Sequence, residues 1–112
     1  MYFKVHDYNI MEFSYENMVT CYIREPYLEE ENKWREFLDD IVNFKKSSLG
    51  LGWVGFSYDP TNDNHYHVRA RCECRSGMGG GEGILIVNIP HEIFTRSLDD
   101  FVNSDMFPKI YK

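Results

Sequence analysis

Residues 65–75 alternate between apolar and polar side chains without a break. Such alternation is the period-2 signature of a β-strand that has one buried face. One face of this strand is therefore predicted to enter a core, and the other is predicted to carry charged groups to solvent or to a partner. The apolar positions are Tyr66, Val68, Ala70, Cys72 and Cys74, and the polar positions are His65, His67, Arg69, Arg71, Glu73 and Arg75.

The segments on both sides of this strand also favour β-structure. Residues 51–58 are rich in aromatic and β-branched side chains, and residues 59–64 have the composition of a turn. Residues 84–89 form a continuous apolar run, which is typical of a central strand covered on both faces. The pattern therefore predicts an antiparallel meander over residues 51–89.

Beyond Pro26 the apolar positions change to the period of a helix. Apolar side chains recur at intervals of three and four residues, which places them on one face of an amphipathic helix. A long helix is therefore predicted over residues 27–46, and a shorter one over residues 91–104. Ser97 and Asp100 form a capping signal, so a break of the second helix at that point is an alternative. The predicted core face of the long helix consists of Trp34, Phe37, Leu38, Ile41 and Phe44.

We therefore expect an α+β fold in a single domain that spans residues 1–112. An antiparallel sheet of about five strands, with the meander 51–89 at its centre, is expected to pack against both helices. Residues 2–5 and 18–24 supply the remaining strands, and the polar residues 14–17 are interpreted as a single helical turn. A chain of 112 residues can bury enough surface to be stable without disulfides or metal.

The amino-terminal residues lack the features of a secretory signal, and no apolar run has the length of a membrane span. The three cysteines are an odd number, and Cys72 and Cys74 lie on one strand face in a geometry poorly suited to a disulfide. We therefore expect reduced cysteines, a cytoplasmic location and no contact with a membrane.

No catalytic constellation is recognisable, so neither an enzymatic activity nor a cofactor is predicted. The glycine-rich residues 77–83 lead into a strand and lack the lysine of a phosphate-binding loop. His65 and His67 point to the same side of the predicted strand, as in some zinc sites, and Asp59 and Asp63 could add oxygen ligands. Since no third positioned ligand is evident, no metal is predicted, and a small metal- or ligand-binding protein remains a rival hypothesis.

The formal net charge of −6 argues against nucleic-acid binding and allows an electrostatic match to a basic protein. Carboxylates gather on the outward face of the long helix and in the turn at residues 59–64, although solubility alone would also explain them. The candidate partner-binding residues are Glu29, Glu36, Asp39, Asp40, Asp59 and Asp63. The alternative partner face consists of Arg69, Arg71 and Arg75, where pairing with nearby carboxylates would be a purely structural explanation.

In its size, its acidity and these carboxylates, the chain resembles bacterial immunity proteins. Those proteins are small cytoplasmic antidotes to toxins of contact-dependent growth inhibition and related systems, and they often set carboxylates against a basic nuclease site. The resemblance implies a stoichiometric inhibitor that binds a basic protein toxin, such as a nuclease. A phage or mobile-element inhibitor of a host nucleic-acid enzyme is a further hypothesis. We expect a monomer or a weak dimer.

Overall fold

The computed structural model describes residues 1–7, 10–24, 31–62, 65–75, 82–105 and 107. Within these residues the chain forms strands and helices in an α+β arrangement, which confirms the predicted fold class. The elements are β1 (Tyr2–Asp7), β2 (Ile10–Tyr15), β3 (Val19–Arg24), α1 (Glu31–Val42), β4 (Ser47–Gly50), β5 (Val54–Tyr58), a short 3₁₀ turn (Pro60–Asn62), β6 (His67–Arg75), β7 (Glu82–Pro90) and α2 (His91–Val102).

The described strands form two antiparallel sheets, so the prediction of one sheet of about five strands was wrong. The first sheet has the order β1-β2-β3, and the second has the order β4-β5-β6-β7. The meander predicted over residues 51–89 is confirmed as β5-β6-β7, and β4 precedes it as a fourth strand. Periodicity reveals which face of a strand is buried, but it does not reveal which strands share hydrogen bonds.

The segment β2 overturns the interpretation of residues 14–17 as a helical turn. Met11, Phe13 and Tyr15 are buried on the core side, and the strand pairs with β1 on one side and β3 on the other. The chain reverses directly after the strand, where Glu16 takes a φ of 48° and the Met18 N–H donates to the Tyr15 carbonyl at 3.2 Å. The polar composition of residues 14–17 therefore marks a strand end and a turn.

Side chains from both sheets and both helices meet in one hydrophobic cluster. Phe3 of β1 lies edge-on to Trp34 of α1 and to Phe56 of β5, with ring centroids 6.0 and 5.9 Å apart. Edge-to-face contacts of this kind are a favourable geometry for aromatic rings. The predicted helix face is confirmed for its buried members Trp34, Phe37 and Ile41, and α2 buries Phe94, Leu98, Phe101 and Val102.

Helix α1 ends earlier than the predicted bound of residue 46, while residues 27–30 lie outside the described residues. The Phe44 N–H donates to the Ile41 carbonyl at 3.2 Å, and the Lys45 N–H donates to the Asp40 carbonyl at 2.8 Å. This pair of hydrogen bonds is a Schellman motif, which terminates a helix at a residue with positive φ. Phe44 has a φ of 56° and is 55% exposed, so its predicted place on the core face was wrong.

Helix α2 ends at Val102 rather than at residue 104, and it runs through Ser97 without a break. The Ser97 hydroxyl donates to the carbonyl of Met1 at 3.2 Å, so this side chain ties the helix to the amino terminus instead of capping it. Strand β6 begins at His67, which leaves Tyr66 in the preceding turn. Tyr66 is 67% exposed, and its predicted place in the core was also wrong.

Within the described part of the sheet, β7 is the edge strand and not the doubly covered central strand that its apolar run predicts. Among the described strands it pairs only with β6. Val87 and Ile89 point into the core and are buried, whereas Ile84 and Ile86 lie on the opposite face and are more than half exposed. A run of aliphatic residues favours a strand, but it does not show that both faces are covered.

Candidate functional site

Two of the predicted partner-binding carboxylates, Asp40 and Asp59, lie at the end of the molecule where α1 meets β4. The Ser47 hydroxyl donates to Asp40 Oδ2 at 2.9 Å, and Lys46 Nζ lies 3.8 Å from Asp59 Oδ2. Ser47 is the cross-strand neighbour of Tyr58, which directly precedes Asp59. The connection between α1 and β4 therefore brings together two carboxylates that are far apart in the sequence.

Hydrogen bonds within the turn fix the position of the Asp59 carboxylate. It accepts hydrogen bonds from the Thr61 hydroxyl at 2.5 Å and from the Thr61 N–H at 3.0 Å. These two bonds, with a smaller contribution from the charge of Lys46, hold the pKa of Asp59 below its ordinary value. Asp59 therefore stays ionised in a fixed position, with the exposed Lys46 as its ion-pair partner.

The other predicted carboxylates are less organised. Glu36 and Asp39 are exposed on α1; Glu36 lies 3.9 Å from Lys33 Nζ, and Asp39 accepts a hydrogen bond from Asn43 at 3.4 Å. Glu29 and Asp63 lie outside the described residues. Exposed ion pairs such as Glu36 with Lys33 contribute little to stability, so these side chains are available to a partner.

Beside Asp40 and Asp59, which we together call the acidic end, Phe44 stacks on His91, the first residue of α2. The two ring centroids are 4.8 Å apart and the ring planes differ by only 15°. His91 Nε2 donates to the carbonyl of Ile41 at 2.6 Å, and its backbone N–H donates to the carbonyl of Tyr66 at 2.6 Å. His91 is thus fixed to α1 and to the turn before β6, and it serves as a rigid platform for the Phe44 ring.

Two adjoining depressions open around this stacked pair, with volumes of about 620 and 460 Å³. Both are lined by Phe44, His91 and Glu92, so they form one continuous open surface, which we call the Phe44 groove. Its larger half also contains Val42, Thr95, Arg96 and Asp99, and its smaller half contains His65, Tyr66, His67 and Pro90.

The groove combines exposed apolar side chains with carboxylates. Phe44, Tyr66 and Val42 are each about half exposed or more, while Glu92 and Asp99 lie at its rim. Arg96 pairs with Glu92 at 3.3 Å, so these two charges cancel and Asp99 leaves the larger half of the groove with a negative charge. The groove is therefore suited to a ligand that is partly apolar and positively charged.

His65 and His67, the predicted rival site, lie in the smaller half of this groove together with His91. Among the described residues, no group of three or more histidines, cysteines, aspartates or glutamates could hold a metal ion. His91 directs Nε2 to a backbone carbonyl and is not free to turn that atom toward the other two. The histidines therefore contribute polar and aromatic surface to the groove.

The alternative arginine face lies on the outer side of the second sheet. Arg69 and Arg71 are exposed, and Arg71 pairs with Glu73 at 3.0 Å, which is the mutual pairing considered from the sequence. The side chain of Arg75 lies outside the described residues. Ile86 is the cross-strand neighbour of Arg71, so apolar surface of β7 borders these charges.

A further polar cluster lies on the outer face of the first sheet and was missed by the sequence analysis. Glu12 of β2 is only 7% exposed, and it accepts hydrogen bonds from Tyr2 and from His6 Nε2, the latter at 3.0 Å. The hydrogen bond from Tyr2 is the main cause, and that from His6 the next, that holds the pKa of Glu12 below its ordinary value. The hydrogen bond between Tyr2 and Glu12 also raises the pKa of Tyr2. Alternation within β1 and β2 could have placed these side chains on one face, but only the strand register brings them together.

The Glu12 cluster should stabilise the fold in a pH-dependent manner. Because the pKa of Glu12 is lower in the folded state, its contribution is present above the unfolded value of 4.5 and is lost as the pH falls through the lower folded value. We expect Glu12→Gln to flatten the dependence of the melting temperature on pH on the acid side. The control Glu16→Gln, at an exposed position in the next turn, should retain the slope of the parent; an equal slope in Glu12→Gln would contradict the assignment.

The two sheets also meet at a pair of cysteines. Cys21 of β3 and Cys72 of β6 are both thiols, and the hydrogen bond between them lowers the pKa of Cys21. Cys72 is fully buried, so the contact belongs to the packing of the core. The side chain of Cys74 lies outside the described residues.

Comparisons of this chain with protein-family models, with curated proteins and with solved structures found no match. Neither α1 nor α2, the helices of the described part of the chain, is long and apolar enough to cross a membrane. Among the described surfaces of the molecule, the Phe44 groove combines a concave shape, exposed aromatic side chains and charge.

Proposed function

We propose that this protein is a cytoplasmic, stoichiometric inhibitor that neutralises a basic protein toxin by direct binding, as the immunity proteins that it resembles do. The proposed contact is the Phe44 groove together with the carboxylates of the adjoining acidic end. The observation that carries the proposal is Phe44 itself, an exposed aromatic side chain held in a backbone conformation that normally requires glycine.

The conformation of Phe44 has an energetic cost, which the stacking of its ring on His91 offsets within the folded protein. A non-glycine residue in the left-handed region is disfavoured by about 1–2 kcal/mol, and bulky residues are rare there. A phenylalanine that remains 55% exposed recovers only part of the benefit of burial. Backbone strain of this kind clusters at functional sites, and the surrounding structure holds the exposed Phe44 ring in one position in which a partner can contact it.

The charges around the groove favour a cationic partner. Asp40 and Asp59 lie on the side of the α1–β4 connection, and Asp99 lines the groove beside the neutralised pair of Glu92 and Arg96. An arginine or lysine of the partner can stack on an exposed aromatic ring and pair with a neighbouring carboxylate. The net charge of −6 would also accelerate association with a basic protein.

A small-ligand function is the second candidate, because three histidines and Tyr66 line the smaller half of the groove. Its volume of about 460 Å³ falls within the range of small-molecule sites. The groove is open rather than enclosed, however, and flat accessible apolar surface is more typical of contacts between proteins. The protein-binding function therefore accounts for more of the surface.

The proposed function is tested with the gene next to the one that encodes this protein. Immunity functions are encoded beside their toxins, so we expect the product of the neighbouring gene to arrest growth when it is expressed alone. Co-expression of this protein should restore growth, and the two purified proteins should form a complex of one to one stoichiometry. A neighbouring product that is not toxic, or whose toxicity is unchanged by co-expression, would contradict the proposal.

The predicted partner-binding aspartates give a second, electrostatic prediction. We expect the combined variant Asp39→Asn, Asp40→Asn, Asp59→Asn and Asp63→Asn to remain folded, because asparagine keeps the size of the aspartate side chain and one of its two acceptor oxygens. The dissociation constant for the toxin should rise at least tenfold, about 1.4 kcal/mol, and its dependence on salt should weaken. Calorimetric titrations at several salt concentrations measure both effects.

A charge-matched control separates the position of these carboxylates from their number. The control variant removes four negative charges elsewhere, at Glu16, Glu73, Asp100 and Asp105, and so has the same net charge. We expect the control to slow association slightly and to leave the dissociation rate unchanged. If both variants lose affinity equally, the acidic end contributes only to the long-range electrostatic attraction of the toxin and is not part of the contact.

A further inference from the structure

The outer edge of β7 offers a second interaction surface, which is independent of the proposed inhibitor site. All nine residues of Glu82–Pro90 are in register with β6, so the strand is firmly held on one side. No other strand of the described residues pairs with its second side. An open edge of this kind presents a row of N–H and C=O groups to any strand that can lie alongside it.

This edge lacks the features that usually prevent strands from associating. Edge strands commonly carry lysine, inward-pointing charges or a central proline, yet residues 83–89 contain no charged residue and the sole proline, Pro90, is at the end. Ile84 and Ile86 are 56% and 52% exposed on the outer face. Leu85 is 40% exposed on the opposite face, so the edge is apolar on both sides.

We propose that β7 pairs in antiparallel fashion with the β7 strand of a second copy of this chain, across a two-fold axis. The occupant must supply aliphatic side chains at consecutive positions, because an added strand lies beside the exposed residues of both faces. Among the described residues, 84–86 is the one stretch of three consecutive exposed aliphatic side chains, so β7 itself has the required pattern. The two four-stranded sheets would join into one sheet of eight strands.

The local arrangement of charge allows a second copy to approach this edge. Each chain carries a net charge of −6, but none of that charge lies within residues 83–89, so the paired strands do not repel each other. With Leu85 on the axis, Ile84 of one copy lies opposite Ile86 of the other, and the four isoleucines form one patch. Arg71 and Glu73 lie one strand further in, and the two β6 strands would be separated by about three strand spacings, roughly 14 Å.

The surface area buried by this contact is small, which limits the affinity of the dimer. One pair of short strands buries less surface than the roughly 1,200 Å² of a standard stable interface. The dimer is therefore weak and reversible, with the monomer dominant in dilute solution. Association through a two-fold axis also closes the edge, so it stops at two copies instead of forming a chain.

The test is sedimentation equilibrium of the purified full chain up to about 1 mM, the concentration at which an interaction of roughly −4 kcal/mol becomes half-saturated. We expect a reversible monomer–dimer equilibrium in the parent. Ile86→Lys adds a charge at the edge and should raise the dissociation constant at least tenfold. The matched control Ser48→Lys adds the same charge to the same outer face, at the opposite edge strand β4, and should dimerise as the parent does.

An isotope-filtered nuclear Overhauser measurement on a mixture of labelled and unlabelled protein locates the contact. Signals between Ile84 of one copy and Ile86 of the other are expected. A protein that is monomeric over the whole range, equal dimerisation of Ile86→Lys and Ser48→Lys, or intermolecular signals confined to other residues would each overturn the proposal. Should Ile86→Lys fail to fold, Ile84→Thr and Ile86→Thr retain strand-forming residues and answer the same question.

Discussion

Replacing Trp34 with alanine is expected to lower the free energy of unfolding by about 3–5 kcal/mol, the usual cost of emptying a large aromatic site in a core. Trp34 is fully buried on α1 and contacts Phe3, Phe101 and Phe107 at centroid distances of 6.0, 5.5 and 5.8 Å. It therefore joins the first sheet, both helices and the carboxyl-terminal segment in one packing unit. A loss of this size is a large share of the roughly 5–15 kcal/mol that stabilises a typical domain.

The control for this prediction is Trp34→Phe. The indole N–H of Trp34 has no hydrogen-bond partner among the described residues, and a buried donor without a partner is itself unfavourable. Phenylalanine removes that donor and keeps most of the apolar contact, so it should cost much less than alanine. Urea unfolding followed by circular dichroism measures both changes. If Trp34→Ala unfolds at the same urea concentration as the parent, α1 does not pack as described.

The faces of the helices could be predicted from the sequence because helical periodicity is a local property. Trp34, Phe37 and Ile41 recur at helical spacing, and each of them is buried. The same pattern includes Phe44, which the structure places in solvent. Phe44 continues the apolar period but lies at the residue where the Schellman hydrogen bonds end the helix, and no glycine marks that position in the sequence.

The division into two sheets and the position of β7 could not be predicted in this way. Strand pairing depends on contacts between residues that are distant in the chain, whereas alternation reports only which face is apolar. The Phe44 groove has the same origin, since its walls come from the end of α1, the start of α2 and the turn before β6. Asp40 and Asp59 were predicted separately, and their proximity follows from the cross-strand pairing of Ser47 with Tyr58.

Replacing Phe44 with glycine is expected to weaken toxin binding strongly without destabilising the protein. Glycine adopts the left-handed conformation without strain, which gains about 1 kcal/mol. The lost stacking on His91 is worth about 0.5–1.5 kcal/mol, so the two effects nearly cancel in the free energy of unfolding. An aromatic anchor at the centre of an interface typically contributes about 2 kcal/mol or more, so the affinity should fall by about 30-fold.

The chain contains a matched control for this substitution. Glu16 is the other non-glycine residue with positive φ among the described residues, and it lies in the turn between β2 and β3. Glu16→Gly relieves the same type of backbone strain but removes no side chain of the Phe44 groove. It should raise the melting temperature slightly and leave the affinity for the toxin unchanged.

The most direct test is a calorimetric titration of the neighbouring gene's toxin with the parent, Phe44→Gly and Glu16→Gly, combined with the melting temperature of each protein. An inhibitor that binds through the Phe44 groove predicts similar melting temperatures, together with a loss of affinity of about 30-fold in Phe44→Gly and no loss in Glu16→Gly. Equal affinities for all three proteins would contradict this account. The exposed ring of Phe44 would then have no part in the contact with the toxin.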